Sequence, residues 1–304
     1  MSATTMHKPR ALFVGRTTLD VLYRLDRMPE EDTKVYARDI QAAPGGPALN
    51  AAITHSLLGG RAMLVSAVGS GQWAAAVRSQ LRRHEVRLLD LAAGTAYETP
   101  LCTVLANTAN ATRTIVNPPI SQVALRHWGA SWAAEMPSSW GAIPPVVLSD
   151  GFFFEETAGL LSACKAAGAA VCLDGGSWKP GTEVLAPLLK VAICSERFAV
   201  PGHARTPETT IAWFVDQGVA HVAVTRGARS ILGCDRGRRF EIEIAPVDAV
   251  DTLGAGDVLH GAFCHRFARH GEFEAALRWA AEIATLKCQS HGVEAWIGGL
   301  QISG

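Results

Sequence analysis

Val146-Val147-Leu148, Ala170-Val171-Cys172-Leu173, Val191-Ala192-Ile193-Cys194 and His221-Val222-Ala223-Val224 are four short apolar runs, and each is closed by a polar residue. Runs of this length without polar alternation read as strands buried on both faces. Between them, residues 155–167, 184–189 and 207–217 read as helices. A βαβα succession needs right-handed crossovers and a mostly parallel sheet covered on both sides, which predicts a doubly wound α/β fold. The closing residues are Ser149-Asp150, Asp174, Ser195 and Thr225-Arg226-Gly227. Any one of them would serve as a helix cap, but open parallel sheets bind ligands beyond the carboxyl ends of their strands. Four in succession therefore point to one shared cleft.

Working toward the N-terminus, the patterning changes. Residues 20–25 and 34–40 alternate like solvent-edged strands around a turn containing Met28, Pro29 and Glu30, and residues 101–105 and 112–116 form a second such pair around Asn107 to Asn110. These hairpins are too short for a domain of their own. They predict a small β-lid inserted at about residues 20–40 and 97–117 of a single domain spanning 1–304.

A chain of 304 residues is long enough to bury a substantial core. Lys plus Arg and Asp plus Glu both number 28, so no net field exists to gather nucleic acid or an anionic membrane, and neither is expected as a partner. Only 18% of residues are charged and 48% are hydrophobic, which excludes disorder as the main state. Seven cysteines, without any Cys-x-x-Cys, suggest reduced thiols rather than a disulfide framework or a zinc ribbon. The N-terminal stretch is polar, and the apolar run at 11–14 is too brief for a signal-peptide core or a membrane span, so a cytoplasmic location is expected. Eight tryptophans, several between Trp128 and Trp140, fit a packed helical connection better than a nucleic-acid stacking platform.

The chemistry concentrates in residues 241–271. Residues 241–250 read as a strand, Asp251-Thr252-Leu253-Gly254-Ala255-Gly256-Asp257 follows, and residues 258–270 read as a helix capped by Gly271. A glycine loop that opens a helix offers amides and a favourable dipole to an anion, phosphate above all. It is neither a Walker A element nor the Gly-x-Gly-x-x-Gly dinucleotide fingerprint. Asp257 would repel a phosphate unless it has a task of its own, such as accepting a proton from an attacking hydroxyl; its alternative is a first-turn acid on the helix dipole. A second segment places Gly45-Gly46 before Pro47 and a helix to Leu58. Asn50 in its first turns can donate to and accept from a polyol hydroxyl, or simply be solvated. Asp20, after a first strand at 11–15, is open to the same two readings. Arg113 and Asn117 on the second hairpin reach a sugar or phosphate, or form a solvated face. None of the ten histidines shows ligand spacing, so His260 and His265 are taken as helix packing.

Asp251 to Asp257, together with Gly45-Gly46-x-x-x-Asn50, resembles the two signatures of the ribokinase-like, PfkB-type carbohydrate kinases. Pro44 to Ala48, Leu173-Asp174-Gly175, Ser195-Glu196, Val258 to Gly261 and Leu286-Lys287-Cys288 look most like the branch containing ketohexokinase and sulfofructose kinase. The resemblance implies a three-layer fold with a β-lid and transfer of the ATP γ-phosphoryl group, with Mg²⁺, to a hydroxyl of a small sugar, a ketose as first choice. It puts Asp257 on the catalytic base and Gly254, Ala255 and Gly256 on the anion hole. Asp20, Gly45, Gly46 and Asn50 fall on sugar-holding positions, joined by Arg113 and Asn117 from the lid. Asp174, Ser195, Thr225, Gly227, Thr252, Cys288 and Gly292 fall on the nucleotide side, and Asp251 with Thr252 borders a loop that takes a monovalent cation such as K⁺. Two departures stand out: Ser195-Glu196-Arg197-Phe198 replaces the family's Asn-x-x-Glu, leaving the metal ligands undefined, and Ser70-Gly71 replaces an acidic pair. A nucleoside kinase, or a catalytically silent nucleotide or sugar sensor, shares the same loop. Exposed lid edges predict a homodimer through the lid.

Overall fold

In the strand Arg10–Val14, Ala11 and Phe13 belong to one apolar cluster and Leu12 and Val14 to another, because successive side chains of a strand leave opposite faces. That division runs through the whole molecule. The structure is a computed structural model and describes residues 8–119, 123–127, 140, 143–292 and 294–300. Its elements are β1 (Arg10–Val14), β2 (Thr18–Leu25), β3 (Asp39–Gly45), α1 (Pro47–Leu57), β4 (Arg61–Ser66), α2 (Ala74–Arg83), β5 (Arg87–Asp90), β6 (Leu101–Asn107), β7 (Thr112–Val116), β8 (Val146–Ser149), α3 (Phe154–Ala166), β9 (Ala170–Gly175), α4 (Thr182–Leu185), β10 (Val191–Ser195), α5 (Pro207–Asp216), β11 (His221–Arg226), β12 (Arg229–Asp235), β13 (Arg238–Ile242), α6 (Ala255–His270) and α7 (Phe273–Cys288).

Nine strands form one sheet in the order β13-β12-β11-β10-β9-β8-β1-β4-β5, parallel from β11 to β5, with β12 and β13 added as an antiparallel hairpin. On one face Leu49 and Ile53 of α1, Val77 and Leu81 of α2, Phe263 of α6 and Leu277 of α7 pack into a core; on the other Leu160 and Leu161 of α3, Leu185 of α4 and Phe214 of α5 build a second. This is the three-layer, doubly wound arrangement expected. β3-β2-β6-β7 make a separate four-stranded sheet. Its two hairpins are not independent, since β2 and β6 pair in parallel from Leu19↔Leu101 to Leu25↔Asn107.

Several boundaries differ from the sequence reading. The second lid strand is Asp39–Gly45 rather than 34–40, because β2 pairs with it from Thr18↔Gly45 to Arg24↔Asp39, where Arg24 and Asp39 form an ion pair. The expected strand at 241–250 ends at Ile242. Beyond the Ile231↔Ile242 pair only Ser230 and Arg229 of β12 remain, so the chain past Ile242 soon runs out of a partner strand, and Pro246 has no amide to offer. The unforeseen hairpin turns at Arg236-Gly237, with φ of 49° and 85°, the left-handed pair that suits the twist of adjacent strands. The helix at 184–189 shrinks to Thr182–Leu185 and one 3₁₀ turn at Ala186–Leu188, where Pro187 stands. Residues 1–7, and Trp128 and Trp132, lie outside the described residues; Trp140 is buried. Six cysteines are buried, Cys288 is half-buried, and all seven are free thiols. Among the described residues no helix is long and apolar enough to cross a membrane.

Candidate active site

The carboxyl ends of the parallel strands, the start of α6 and the inner face of the small sheet enclose a cavity of about 970 Å³. Asp20, Gly45, Gly46, Asn50, Arg113, Asn117, Gly254, Asp257 and Gly292 all line it. Residues spread over most of the sequence thus meet in one cleft.

The helix α6 begins at Ala255, and Gly254, its N-cap, takes φ 74°, a left-handed conformation that glycine adopts without cost. Among the described residues the amides of Gly254, Gly256 and Asp257 make no hydrogen bond, while that of Ala255 turns back to the Thr252 carbonyl at 3.3 Å. Of the expected set Gly254, Ala255 and Gly256, the Ala255 amide is thus partly engaged, and the amides left free at the loop are those of Gly254, Gly256 and Asp257: a tight turn has to close on itself before the helix starts. Asp251 closes the same turn by accepting from the Leu253 amide at 2.8 Å.

Asp257 lies in the first turn of α6, buried, and accepts from Asn50 Nδ2 at 2.7 Å. Burial, then the charge of Asp174, push its pKa up to about 6, against the Asn50 hydrogen bond and the neighbouring His260 and Arg113 side chains. Asn50 Oδ1 is buried without a hydrogen-bond partner in the structure. Such an oxygen is costly to leave unmet, and it sits on a residue lining the cleft, as a carbonyl that would accept from a ligand hydroxyl.

Asn50 is held there by helix packing. Gly46 takes φ 103° at the N-cap of α1, and a side chain on it would overlap the Arg16 carbonyl; one on Gly45 would overlap the Asp20 carboxylate. Asp20 also accepts from Thr18 Oγ1 at 2.7 Å, and burial raises its pKa. The two glycines thus press the root of the lid against the β1–β2 connection. From the far side of the lid, Arg113 donates to Thr252 Oγ1 at 3.0 Å, and Thr252 Oγ1 in turn donates to the Ala111 carbonyl at 2.9 Å. Burial, then the like charge of Arg197, lower the Arg113 pKa from the usual guanidinium range, while Asp257 and Asp251 act to raise it. Asn117 accepts from the Cys102 thiol at 3.3 Å.

The nucleotide-side candidates are more scattered. Ser195 and Thr225 are cross-strand neighbours at the ends of β10 and β11, and Gly227 follows with φ 65°; they stand outside the lining of the cavity. Asp174 does not line it either. It is buried beneath, 3.4 Å from His260 Nδ1, while His260 also faces the carbonyls of Gly256 at 2.8 Å and Ile193 at 3.2 Å. His260 is thus wired to the start of α6, whereas His265 packs against His55 and Trp279 in the core. Glu196, displaced from the family's acidic position, pairs with Arg229. Cys288 carries the carbonyl that receives the Val250 and Asp251 amides, at 2.8 and 3.2 Å, and the Gly292 amide donates to Asp251 Oδ2 at 2.9 Å.

Arg16 and Lys179 escaped the sequence reading, and Asp150 and Lys287 were named in it without a role in the site. Arg16 and Lys179 line the cleft with their cationic ends over the ring of Phe152, at 5.2 and 4.7 Å from its centroid. Asp150 is buried between the Arg16 and Phe152 amides, which donate at 2.8 and 2.9 Å, and burial pushes its pKa up to about 7. The position of Arg16 immediately beyond the first strand was the available signal. Lys287, fully buried, sits 2.8 Å from the Asp251 carbonyl and 3.3 Å from its carboxylate.

A family model described as pfkB family carbohydrate kinase matches residues 8–297. The chain belongs to the pfkB family of carbohydrate kinases. It is therefore a phosphotransferase with an alcohol acceptor, a sugar or nucleoside kinase. This pfkB kinase is 23% identical to a ribokinase of Bacillus subtilis over 92% of its own length and 93% of the relative's. It is 28% identical to a 2-dehydro-3-deoxygalactonokinase of Haloferax volcanii over 87% of each chain. An Arabidopsis thaliana ribokinase complexed with ribose and ATP superposes with TM-score 0.72 at 20% identity, over 94% of both chains.

Two groups implied by the family fit differently. A magnesium ion finds no set of three or more His, Cys, Asp or Glu side chains among the described residues, so it would be held mainly by nucleotide phosphates and water, as magnesium commonly is. A monovalent cation at Asp251 does not fit. The carbonyl and carboxylate oxygens it would need already face the Lys287 ammonium, and two unit charges about 4 Å apart repel by ~4 kcal/mol at an effective dielectric near 20.

Proposed function

We propose that this pfkB kinase transfers the γ-phosphoryl group of ATP to a hydroxyl of a small carbohydrate, with a ketose the first acceptor to test. The observation that carries this reading is the Asn50–Asp257 pair. A buried carboxylate with its pKa pushed up to about 6 lies beside three unpaired amides and beside a carbonyl oxygen with no partner. Asp20 and Asn50 hold sugar hydroxyls, with Gly45, Gly46, Arg113 and Asn117 completing that end of the cleft. Asp257 accepts the proton of the hydroxyl that attacks, and the amides of Gly254, Gly256 and Asp257 steady the terminal phosphate, aided by the α6 dipole. Magnesium–ATP, when bound, supplies the phosphoryl group and a charge-neutralising cation. Its nucleotide end is assigned to Ser195, Thr225, Gly227, Thr252, Cys288 and Gly292. Arg113, tied to Thr252, fastens the lid over the anion loop and limits access of water, the competing acceptor.

A sugar is favoured over a nucleoside by the aromatic residues. Tyr97 is buried, Tyr36 is 99% exposed and Tyr23 points away from the cleft with Ile40 and Leu105, so none forms a base-stacking pair in it. Seven free thiols support a reducing, cytoplasmic setting. Measurement of ADP release across ketoses, aldoses and nucleosides, with the phosphorylated carbon located by ³¹P NMR, tests the assignment. Turnover confined to nucleosides would replace it.

The outer face of the lid carries Val21, Tyr23, Ile40, Leu101, Leu105 and Val116, and Ile40 and Val116 are 59% and 57% exposed. An apolar sheet face of this kind is suited to a second copy of the chain, forming a homodimer through the lid.

A further inference from the structure

Lys287 is a fully buried charged group that the proposed reaction does not use. It stands in the last turn of α7, with 0% of its surface exposed. Lysine is almost never buried so completely without a paired role. Its Nζ donates to the Asp251 carbonyl at 2.8 Å and lies 3.3 Å from Asp251 Oδ2. Asp251 also accepts from the amides of Leu253, at Oδ1, and Gly292, at Oδ2, and the Val250 and Asp251 amides are taken by the Cys288 carbonyl. Two chain segments, 250–253 and 287–292, therefore close around one ammonium. Immediately after the first of them come Gly254, Gly256 and Asp257.

We infer that the Lys287 ammonium fills the position of a monovalent cation at the root of the anion-binding loop, so that this enzyme works without one. A carbonyl and a carboxylate oxygen are the donors a hard cation takes, and here a tethered cation of the chain has taken them. The ammonium neutralises Asp251, pins the turn that aims the three amides, and adds positive potential behind them. Lys287 is a positioning residue: it touches neither acceptor nor phosphate and acts through Asp251. The inference rests on the kinase reading for its effect on turnover, but its binding consequence is separable.

Two measurements test it. Wild-type initial rates in potassium, sodium and tetramethylammonium chloride at equal ionic strength should superimpose, and so should the thermal midpoints of the ligand-free protein in the three salts. Lys287→Met should lose ~10–100-fold in kcat, the usual cost of removing a group that orients another. Part of that loss should return with potassium or ammonium ions but not with tetramethylammonium, together with a potassium-specific rise in thermal midpoint. A role in packing alone predicts no rescue. Potassium-specific activation or stabilisation of the wild type overturns the inference, as does a folded Lys287→Met protein whose loss no cation repairs. If the variant does not fold, the wild-type profiles decide by themselves. If no acceptor is phosphorylated in any salt, the kinase reading fails, and the midpoint comparison still decides the cation question.

Discussion

At Asp257 stability and activity are opposed. Its carboxyl is held at a pKa of about 6 against an ordinary 3.8, first by burial. The folded protein therefore binds this proton more tightly than the unfolded chain. Below about pH 4 both states are protonated and nothing is lost; as pH rises from about 4 to 6 the folded state must ionise a buried group, and stability falls. Two pKa units correspond to a cost of about 3 kcal/mol at neutral pH. Asp257→Asn removes that cost while keeping an oxygen for Asn50 Nδ2, so its thermal midpoint at pH 7 should exceed that of the parent in differential scanning calorimetry. Its kcat should fall ~10²–10⁴-fold, the range for loss of a general base. For the parent, kcat/KM should drop on the acid side with a midpoint near the same pH of about 6, because only the ionised carboxylate accepts a proton. A limb near pH 4 would mean that burial does not raise the Asp257 carboxyl in the working enzyme. Asp257 was legible in the sequence as an acid in the first turn of a glycine-opened helix. Its partner was not, because the 207 positions separating Asn50 from Asp257 are closed only by packing.

The element that achieves this closure is the pair α1 and α6. Gly261 lies where α6 crosses α1, and a methyl group there would overlap the Ala51 carbonyl and stand 2.7 Å from Thr54 Cβ. Gly261→Ala should push the helices apart and cost ~1–3 kcal/mol, as overpacked cores do, visible as a lower urea midpoint. The separation should also raise KM for the acceptor by moving Asn50 from Asp257. Most of the buried parallel strands were legible, since a central strand must be apolar on both faces whatever surrounds it. The β12–β13 hairpin and the register of β3 were not. Both are edge or lid elements whose residues are half-exposed, so their limits are set by which neighbour they pair with rather than by their own pattern.

For the molecule as a whole, the lid is the element proposed both to join two copies and to close over the cleft. Replacing Ile40 and Val116 with Asp on its outer face should convert a dimer to a monomer in size-exclusion chromatography with light scattering; a monomeric parent would refute the proposed interface. Arg113→Gln, on the inner side, removes the charged anchor to Thr252. It should raise KM for ATP and increase ATP hydrolysis in the absence of sugar relative to transfer, because a looser lid admits water.

What the residue order determined by itself was the parallel core, the glycine loop opening a helix, and the acid placed in it. These are local facts: buried-strand composition, cap chemistry and spacing along a helix need no knowledge of distant chain. Tertiary structure alone decided which amides stay free, that Asn50 meets Asp257, that Asp174 lies under the site beside His260, and that Lys287 is sealed against Asp251. Each is a contact between segments far apart in sequence. Their worth arises from burial, which exists only once the layers have packed and water has left.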